Sequence, residues 1–526
     1  MKVLISDRVD PGCVDILKRH PGMEVDVRTD LSPQELLAAI GDYDGLIVRS
    51  ATQVSAEVID AARRLRVVGR AGAGVDNIDV PAATRRGIVV MNTPGGNSVS
   101  TAEHSFAMLT SLARHIPQAA ASMRAGDWER NAFTGIELAG KTLGVVGLGK
   151  VGREVARRAA AFDMRVLACD PFVSAQVASS YGAQVAPMEQ ILQEADFLTI
   201  HMPLTPQTRH SISDAQLQAC KDGVYLVNCA RGGIIDEAAL ERALDSGKVA
   251  GAALDVFESE PPGDAALVRH PRVICTPHLG ASTREAQVTV ALQVAQQVAE
   301  VLVDGVIRNA VNVPSLEPEV YHRVKPYLEL AERLGRIQAQ LSEGQLQRIT
   351  LEYYGEVTGH PTSPITAAAL KGIMEMVSEE AVNFVNAPVF AQQRGVGVDE
   401  LRSSEHDDYA SLITVVYHTN QGSRSLSGTV FHKRELRLVR MDDYTFDAVP
   451  AGHLLFYIND DRPGVIGRIG TIMGSHEVNI AQMAVGRQQI GGRALTVLNV
   501  DSHISDEVLD AILADPHITW ARRVSL

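Results

Sequence analysis

Cysteine is scarce. The 526 residues hold five, Cys13, Cys169, Cys220, Cys229 and Cys275, odd in number and without a CxxC pair. That spacing excludes a disulfide framework and a cysteine zinc site, and is expected of reduced thiols in a cytoplasmic protein with no metal centre. Positive charge is also short: the net charge is −14. Nucleic-acid binders usually carry a basic face, so no nucleic-acid partner is expected. The same deficit means that an anionic ligand must be held by local cations. No apolar run reads as long enough to span a bilayer, so no membrane partner is expected. Met1–Asp7 reads as a short strand and not as a leader with a charged, an apolar and a cleavage region. Low-complexity tracts are lacking. What remains is an ordinary globular balance, 45% hydrophobic and 21% charged, in a chain long enough for three or four domains.

Strand and helix patterns alternate over residues 1–93, with strands expected at Lys2–Asp7, Glu24–Arg28, Gly45–Arg49, Val67–Arg70 and Ile88–Asn92. A second alternation begins at Lys141. Its strands are expected at Thr142–Gly147, Arg165–Cys169, Asp196–His201, Val224–Cys229, Ala250–Val256 and Val273–Thr276. Such alternation predicts parallel sheets covered on both faces. Ser282-x-x-Glu285 reads as a capping box opening a long helix to about Val303. Beyond Pro314 the pattern becomes α+β, and from His453 it reads strand, helix, strand, strand, helix, strand.

Gly147-Leu148-Gly149-Lys150-Val151-Gly152 is a GxGxxG. Alone it is a weak signal, but here a strand precedes it, a helix follows, and the next strand ends in Asp170. Gly147 suits the tight turn, Gly149 a close approach to a pyrophosphate, and Gly152 helix-to-sheet packing. A carboxylate at Asp170 can accept ribose hydroxyls and would repel a 2′-phosphate, so NAD is expected over NADP.

Polar residues follow other strands of the same sheet: Met202-Pro203, Arg231, Glu260 and His278. Parallel sheets bind ligands beyond their carboxyl ends, so these residues should meet in one crevice. Oxidation of a hydroxyl by hydride loss needs a base near neutrality, which suits His278. Glu260 can orient its imidazole, and Arg231 can hold a carboxylate in a fork.

These stretches resemble the D-isomer-specific 2-hydroxyacid dehydrogenase family. The likeness rests on Leu143–Gly152, on Asn228–Gly233 with Asp236, on Ala253–Phe257 with Glu260-Pro261, and on Thr276–Gly280. It implies catalysis by Arg231, Glu260 and His278. It implies NAD against Ala73, Gly147, Gly149, Lys150, Val151, Gly152, Asp170, Met202, Pro203, Cys229, Ala230, Arg231, Asp255, His278, Gly280 and Ala281, with Asp255 on the nicotinamide amide. Ala73 stands where the family more often has Thr. Within the family the likeness is to long forms acting on 3-phosphoglycerate. This points to Arg49, Arg70, Gly72, Asn97, Arg231 and His278 as substrate contacts, with Arg49 and Arg70 for the phosphate and the Gly72–Gly74 turn offering N–H groups to a carboxylate.

The tail, Asn459–Ile466 with Val478–Ala481, resembles an ACT domain. Asn459, Asp461 and Asn479 are its expected effector contacts and L-serine its expected effector. The implied architecture is two doubly wound parallel-sheet α/β lobes, one Rossmann-type and one flavodoxin-like. An α+β intervening domain and a C-terminal βαββαβ ACT domain follow. The implied division is a substrate lobe at 1–97 completed by about 286–312, an NAD-binding domain at 98–285, an intervening domain at 317–450 and the ACT domain at 453–526. A homo-oligomer, dimer or tetramer, is expected. Two rival readings stay open: another D-2-hydroxy acid such as glycerate or lactate, and a corepressor built on the same fold.

Overall fold

Short β-branched runs joined by amphipathic helices can satisfy their backbones only by parallel pairing under helical cover. The computed structural model, which describes every residue except Ser315, Glu379, His406, Asp407 and Lys433, shows two such sheets. The first contains β1 (Lys2–Ile5), β2 (Glu24–Val27), β3 (Gly45–Val48), β4 (Val67–Arg70) and β5 (Val89–Met91). They run parallel in the order β2-β1-β3-β4-β5, the flavodoxin-like order.

The helix Arg284–Asp304 lies across this sheet and buries Val290, Val294, Val298 and Leu302. It comes close because β4 carries Gly69, where a Cβ would stand 2.6 Å from Val294. Two expectations are corrected here. This helix has 21 residues and a window of mean hydropathy 1.2, so by length and composition alone it could cross a membrane; its apolar stripe instead packs on the sheet. Its cap is Thr283, whose Oγ1 accepts from the Ala286 N–H at 3.2 Å. The helix starts one residue later than a box at Ser282 requires, which leaves Glu285 a position too early to close it.

The second sheet contains β6 (Thr142–Val146), β7 (Arg165–Cys169), β8 (Ala183–Val185), β9 (Phe197–Ile200), β10 (Val224–Asn228), β11 (Val249–Leu254) and β12 (Val273–Cys275). Its order is β12-β11-β10-β9-β6-β7-β8, all parallel. β8 escapes the sequence pattern because two of its three residues are exposed. The chain order reverses between β6 and β9, which opens a crevice beyond their carboxyl ends.

The third sheet is mixed: β13 (Leu346–Gly355), β14 (Gly397–Ser403), β15 (Ser411–Thr419), β16 (Gly422–Phe431), β17 (Glu435–Met441) and β18 (Tyr444–Ala448). They lie in the order β14-β13-β15-β16-β17-β18. Helices Pro318–Leu341 and Ser363–Val377 contribute to its core. β14 was not expected, since nearly all of its side chains are exposed and no alternation marks it.

The fourth sheet holds β19 (His453–Asp460), β20 (Ile480–Arg487), β21 (Arg493–Val500) and β22 (Ile518–Ser525), in the order β20-β21-β19-β22. With helices Val465–Ser475 and Asp506–Leu513 it completes the βαββαβ unit. Both faces of this sheet are apolar. Leu455, Tyr457 and Leu498 face its own helices, whereas Leu454, Phe456, Leu495 and Val497 join the core of the third sheet. Side-chain alternation with period two divides them.

Candidate active site

At the switch point β6 turns into the helix Lys150–Ala161. Gly147 takes φ 93, and a Cβ there would press on the His201 carbonyl at 2.7 Å. At Gly152 a Cβ would lie 2.1 Å from the Gly147 carbonyl oxygen, so only glycine lets the helix sit on the turn. At Gly149, the residue that caps the helix, a Cβ would meet nothing within 4 Å. That open space, beneath N–H groups with positive partial charge, suits a pyrophosphate. Asp170 stands beside it. Its Oδ2 accepts from the Leu148 N–H at 2.8 Å and its Oδ1 from the Phe172 N–H at 2.8 Å. Both oxygens are thereby oriented and keep lone pairs for ribose hydroxyls. Lys150 Nζ donates across the crevice to the Pro94 carbonyl at 2.9 Å. Met202 and Pro203 follow β9, and Cys229 and Ala230 follow β10. Burial pushes the Cys229 thiol up to about 12, so it stays protonated near neutrality. These residues fit a dinucleotide.

The turn after β12 carries His278 at φ 53, a left-handed conformation costly for a residue with a Cβ. Asp255 pins it. The Asp255 side chain is fully buried; it accepts from Thr276 Oγ1 at 2.5 Å, the Leu279 N–H at 2.7 Å and the Gly280 N–H at 2.8 Å, and pairs with His104 at 3.2 Å. Burial raises its pKa, but these donors outweigh it and hold the carboxyl below its ordinary value. The acceptor expected to face the nicotinamide thus also holds the loop beneath His278. On the ring itself, Nδ1 lies 2.7 Å from Glu260 Oε2, which leaves Nε2 for a ligand. Burial pushes the Glu260 pKa up, whereas the hydrogen bond and charge of His278 and the Phe257 N–H pull it down further, so it stays ionised near neutrality. Val151 and Ala281 are half-buried in the same region.

Arg49, Arg70 and Arg231 gather opposite. Arg70 Nε donates to Asn77 Oδ1 at 3.1 Å, and Asn77 Nδ2 donates to the Arg49 and Thr52 carbonyls. Burial, then the charge of Arg231, pushes Arg70 down to about 10, still a cation near neutrality. Arg231 Nε meets Asp76 Oδ2 at 3.0 Å, and its Nη1 donates to the Ala230 carbonyl at 2.7 Å. The Gly72 N–H, expected to face a carboxylate, instead donates to the Arg70 carbonyl at 2.9 Å. Gly72 serves by lacking a Cβ, which would strike the Arg70 guanidinium. Ala73 accepts at its carbonyl from Asn92. Asn97 heads the helix Ser98–Ala113 without capping it through its side chain. Asp76 and Asn77, which contact these cations, and Asp7, which holds the Arg49 N–H and Thr52, were not singled out from the sequence; the signal for the first two was that they follow the glycine turn with one residue between.

In the fourth sheet the expected effector residues already have protein partners. Asn459 is buried, its amide donating to the Asp460 carbonyl and accepting from Thr496, so its assignment as a ligand contact is withdrawn. Asp461 pairs with Arg487 at 3.2 Å and accepts from the Gly491 N–H. Asn479 is exposed and donates to Asp501.

Residues 106–280 match the NAD binding domain of the D-isomer specific 2-hydroxyacid dehydrogenases. Residues 323–442 match the D-3-phosphoglycerate dehydrogenase intervening domain, and 453–517 the ACT domain. A D-3-phosphoglycerate dehydrogenase from Synechocystis sp. is 44% identical over 526 residues, spanning 100% of this chain and 95% of its own. The chain belongs to the D-isomer-specific 2-hydroxyacid dehydrogenase family. It is an NAD-dependent dehydrogenase. The Bacillus subtilis D-3-phosphoglycerate dehydrogenase is 41% identical over 100% of this chain and 99% of its own; the human one is 49% identical over 76% and 74%. Among solved structures, D-lactate dehydrogenase from Aquifex aeolicus, complexed with NAD and lactic acid, superposes with a TM-score of 0.53 at 26% identity. It covers 60% of this chain and 100% of its own.

Proposed function

We propose that the chain oxidises D-3-phosphoglycerate to 3-phosphohydroxypyruvate, the first step of L-serine synthesis. The observation that carries this reading is the grouping of Arg49, Arg70 and Arg231, close enough for their charges to act on one another. A substrate anionic at both ends needs more cations than a simple hydroxy acid. In the mechanism Arg231 holds the carboxylate in its fork and Arg49 and Arg70 take the phosphate. His278 removes the hydroxyl proton at Nε2, and Glu260 stabilises the imidazolium that results. Bound NAD supplies the hydride acceptor. Steady-state oxidation of D-3-phosphoglycerate, D-glycerate and D-lactate tests the reading: kcat/KM should be highest for the phosphorylated acid. A preference for D-lactate, named in the Aquifex aeolicus relative, would overturn it.

L-serine is the proposed effector at the fourth sheet, through Asp461, Asn479 and neighbouring backbone; calorimetry with serine tests it, and no heat of binding would end it. The proposed units are 1–97 with about 286–312, 98–285, 317–450 and 453–526. A homo-oligomer is proposed because the helix Ile116–Ala125 has no buried residue, and Ile116, Met123 and nearby Trp128 are 52%, 54% and 71% exposed. Such an apolar face calls for cover by a second copy. Five free thiols support a cytoplasmic setting.

A further inference from the structure

Arg231 follows β10 in the second sheet, and Asp76 follows β4 in the first. The two are 155 residues apart in sequence and meet across the crevice at 3.0 Å. We propose that Asp76 is a positioning residue that sets the guanidinium of Arg231 for the substrate carboxylate, an inference that rests on reading Arg231 as the carboxylate anchor.

The contact pattern favours positioning over competition. Asp76 Oδ2 takes Nε, and the Ala230 carbonyl takes one hydrogen of Nη1. Two contacts at different nitrogens fix both the direction and the plane of the guanidinium. Among the described residues neither Nη2 nor the second hydrogen of Nη1 has a protein partner, so these donors are left for a carboxylate. A protein carboxylate seated on both of those nitrogens would instead have blocked the site.

The glycine turn is shaped to this pair. A Cβ at Gly74 would stand 2.0 Å from Arg231 Nη2 and 2.7 Å from Asp76 Oδ2. No side chain fits there while the pair exists. The motif thus serves the arginine of the opposite lobe in addition to its own turn.

Charge gives the pair its purpose. Arg70 feels the repulsion of both Arg231 and Arg49, and Asp76 is the carboxylate that most opposes it. Asp7, the other carboxylate nearby, is occupied by the Arg49 N–H and by the N–H and hydroxyl of Thr52. With Asp76 gone, a long side chain facing two cations would swing away from the crevice. Half of the anchoring fork would then have to be rebuilt each time substrate binds.

The test is a mutant cycle on the full chain. Asp76→Ala should lower kcat/KM for D-3-phosphoglycerate by roughly five-fold, the worth of an ion pair whose carboxylate is 67% exposed. The KM of the acid should rise, while NAD affinity by calorimetry and the melting temperature stay at the parent values. Asp76→Asn keeps an acceptor oxygen but loses the charge, and should fall between the Ala variant and the parent. In an Arg231→Lys background the Asp76→Ala change should cost almost nothing more, because lysine has no Nε to orient. Parent-like activity of Asp76→Ala, an Asn variant as poor as Ala, or an undiminished loss in the Lys background would each overturn the proposal. Should the parent oxidise D-lactate in preference, the same series read on that acid decides the role of Asp76, while the phosphoglycerate reading alone fails.

Discussion

Replacing Glu260 by Gln isolates what its charge does for His278. The pair is 2.7 Å apart, and its side chains are 47% and 38% exposed. Two unit charges at that distance attract by about 1.5 kcal/mol with the screening of bulk water and by about 6 kcal/mol at an effective dielectric of 20. Side chains this exposed belong near the lower figure, so about 2 kcal/mol is the expected loss in the transition state, where the imidazole has gained a proton. That corresponds to about thirty-fold in kcat/KM. Geometry adds to it. Glu260 Oε1 accepts from the Phe257 N–H at 3.2 Å, and a glutamine can present oxygen to only one of the two donors. The assay is steady-state oxidation of D-3-phosphoglycerate, with NAD binding measured separately. Glu260→Gln with parent kcat/KM, in a folded sample that binds NAD, would refute the role of the pair.

Gly149→Val should leave the melting temperature nearly unchanged, since its Cβ enters open space, yet weaken NAD binding about ten-fold or more by calorimetry; intact NAD affinity would show that the pyrophosphate lies elsewhere. Asp255 is held below its ordinary value of 3.8, so its stabilisation is complete above that value and is lost as pH falls through the lower folded-state one. Asp255→Asn should cost about 3 kcal/mol near neutrality and flatten the fall of the melting temperature in acid; an unchanged acid limb would contradict the account of the turn. Met123→Glu combined with Trp128→Glu should reduce the particle size in sedimentation velocity, and an unchanged size would exclude this face as the interface.

Periodic burial made most elements legible in advance. β7 coincides with its expected span Arg165–Cys169, and the GxGxxG turn stands where the strand–helix pattern required it. β14 was invisible because an exposed edge strand need not alternate apolar and polar residues. The cap at Thr283 was misplaced because Ser, Thr and a following Glu offer adjacent registers that differ by one residue. Asn459 was misread because a polar residue beside a turn looks the same in sequence whether its amide faces ligand or sheet.

Residue type and spacing were enough for the cofactor class and for proposing His278, Glu260 and Arg231 as the catalytic set, because those depend on chemistry and on local strand ends. Which residues hold them was settled only by the tertiary fold. Asp76 reaches Arg231 from 155 residues away, and His104 reaches the buried Asp255 from the helix Ser98–Ala113. Asp76 and Arg231 come together because two separate sheets present their carboxyl ends to one crevice, and His104 meets Asp255 because its helix packs on the second sheet. No local pattern of apolar and polar residues encodes a meeting between loops so far apart along the chain.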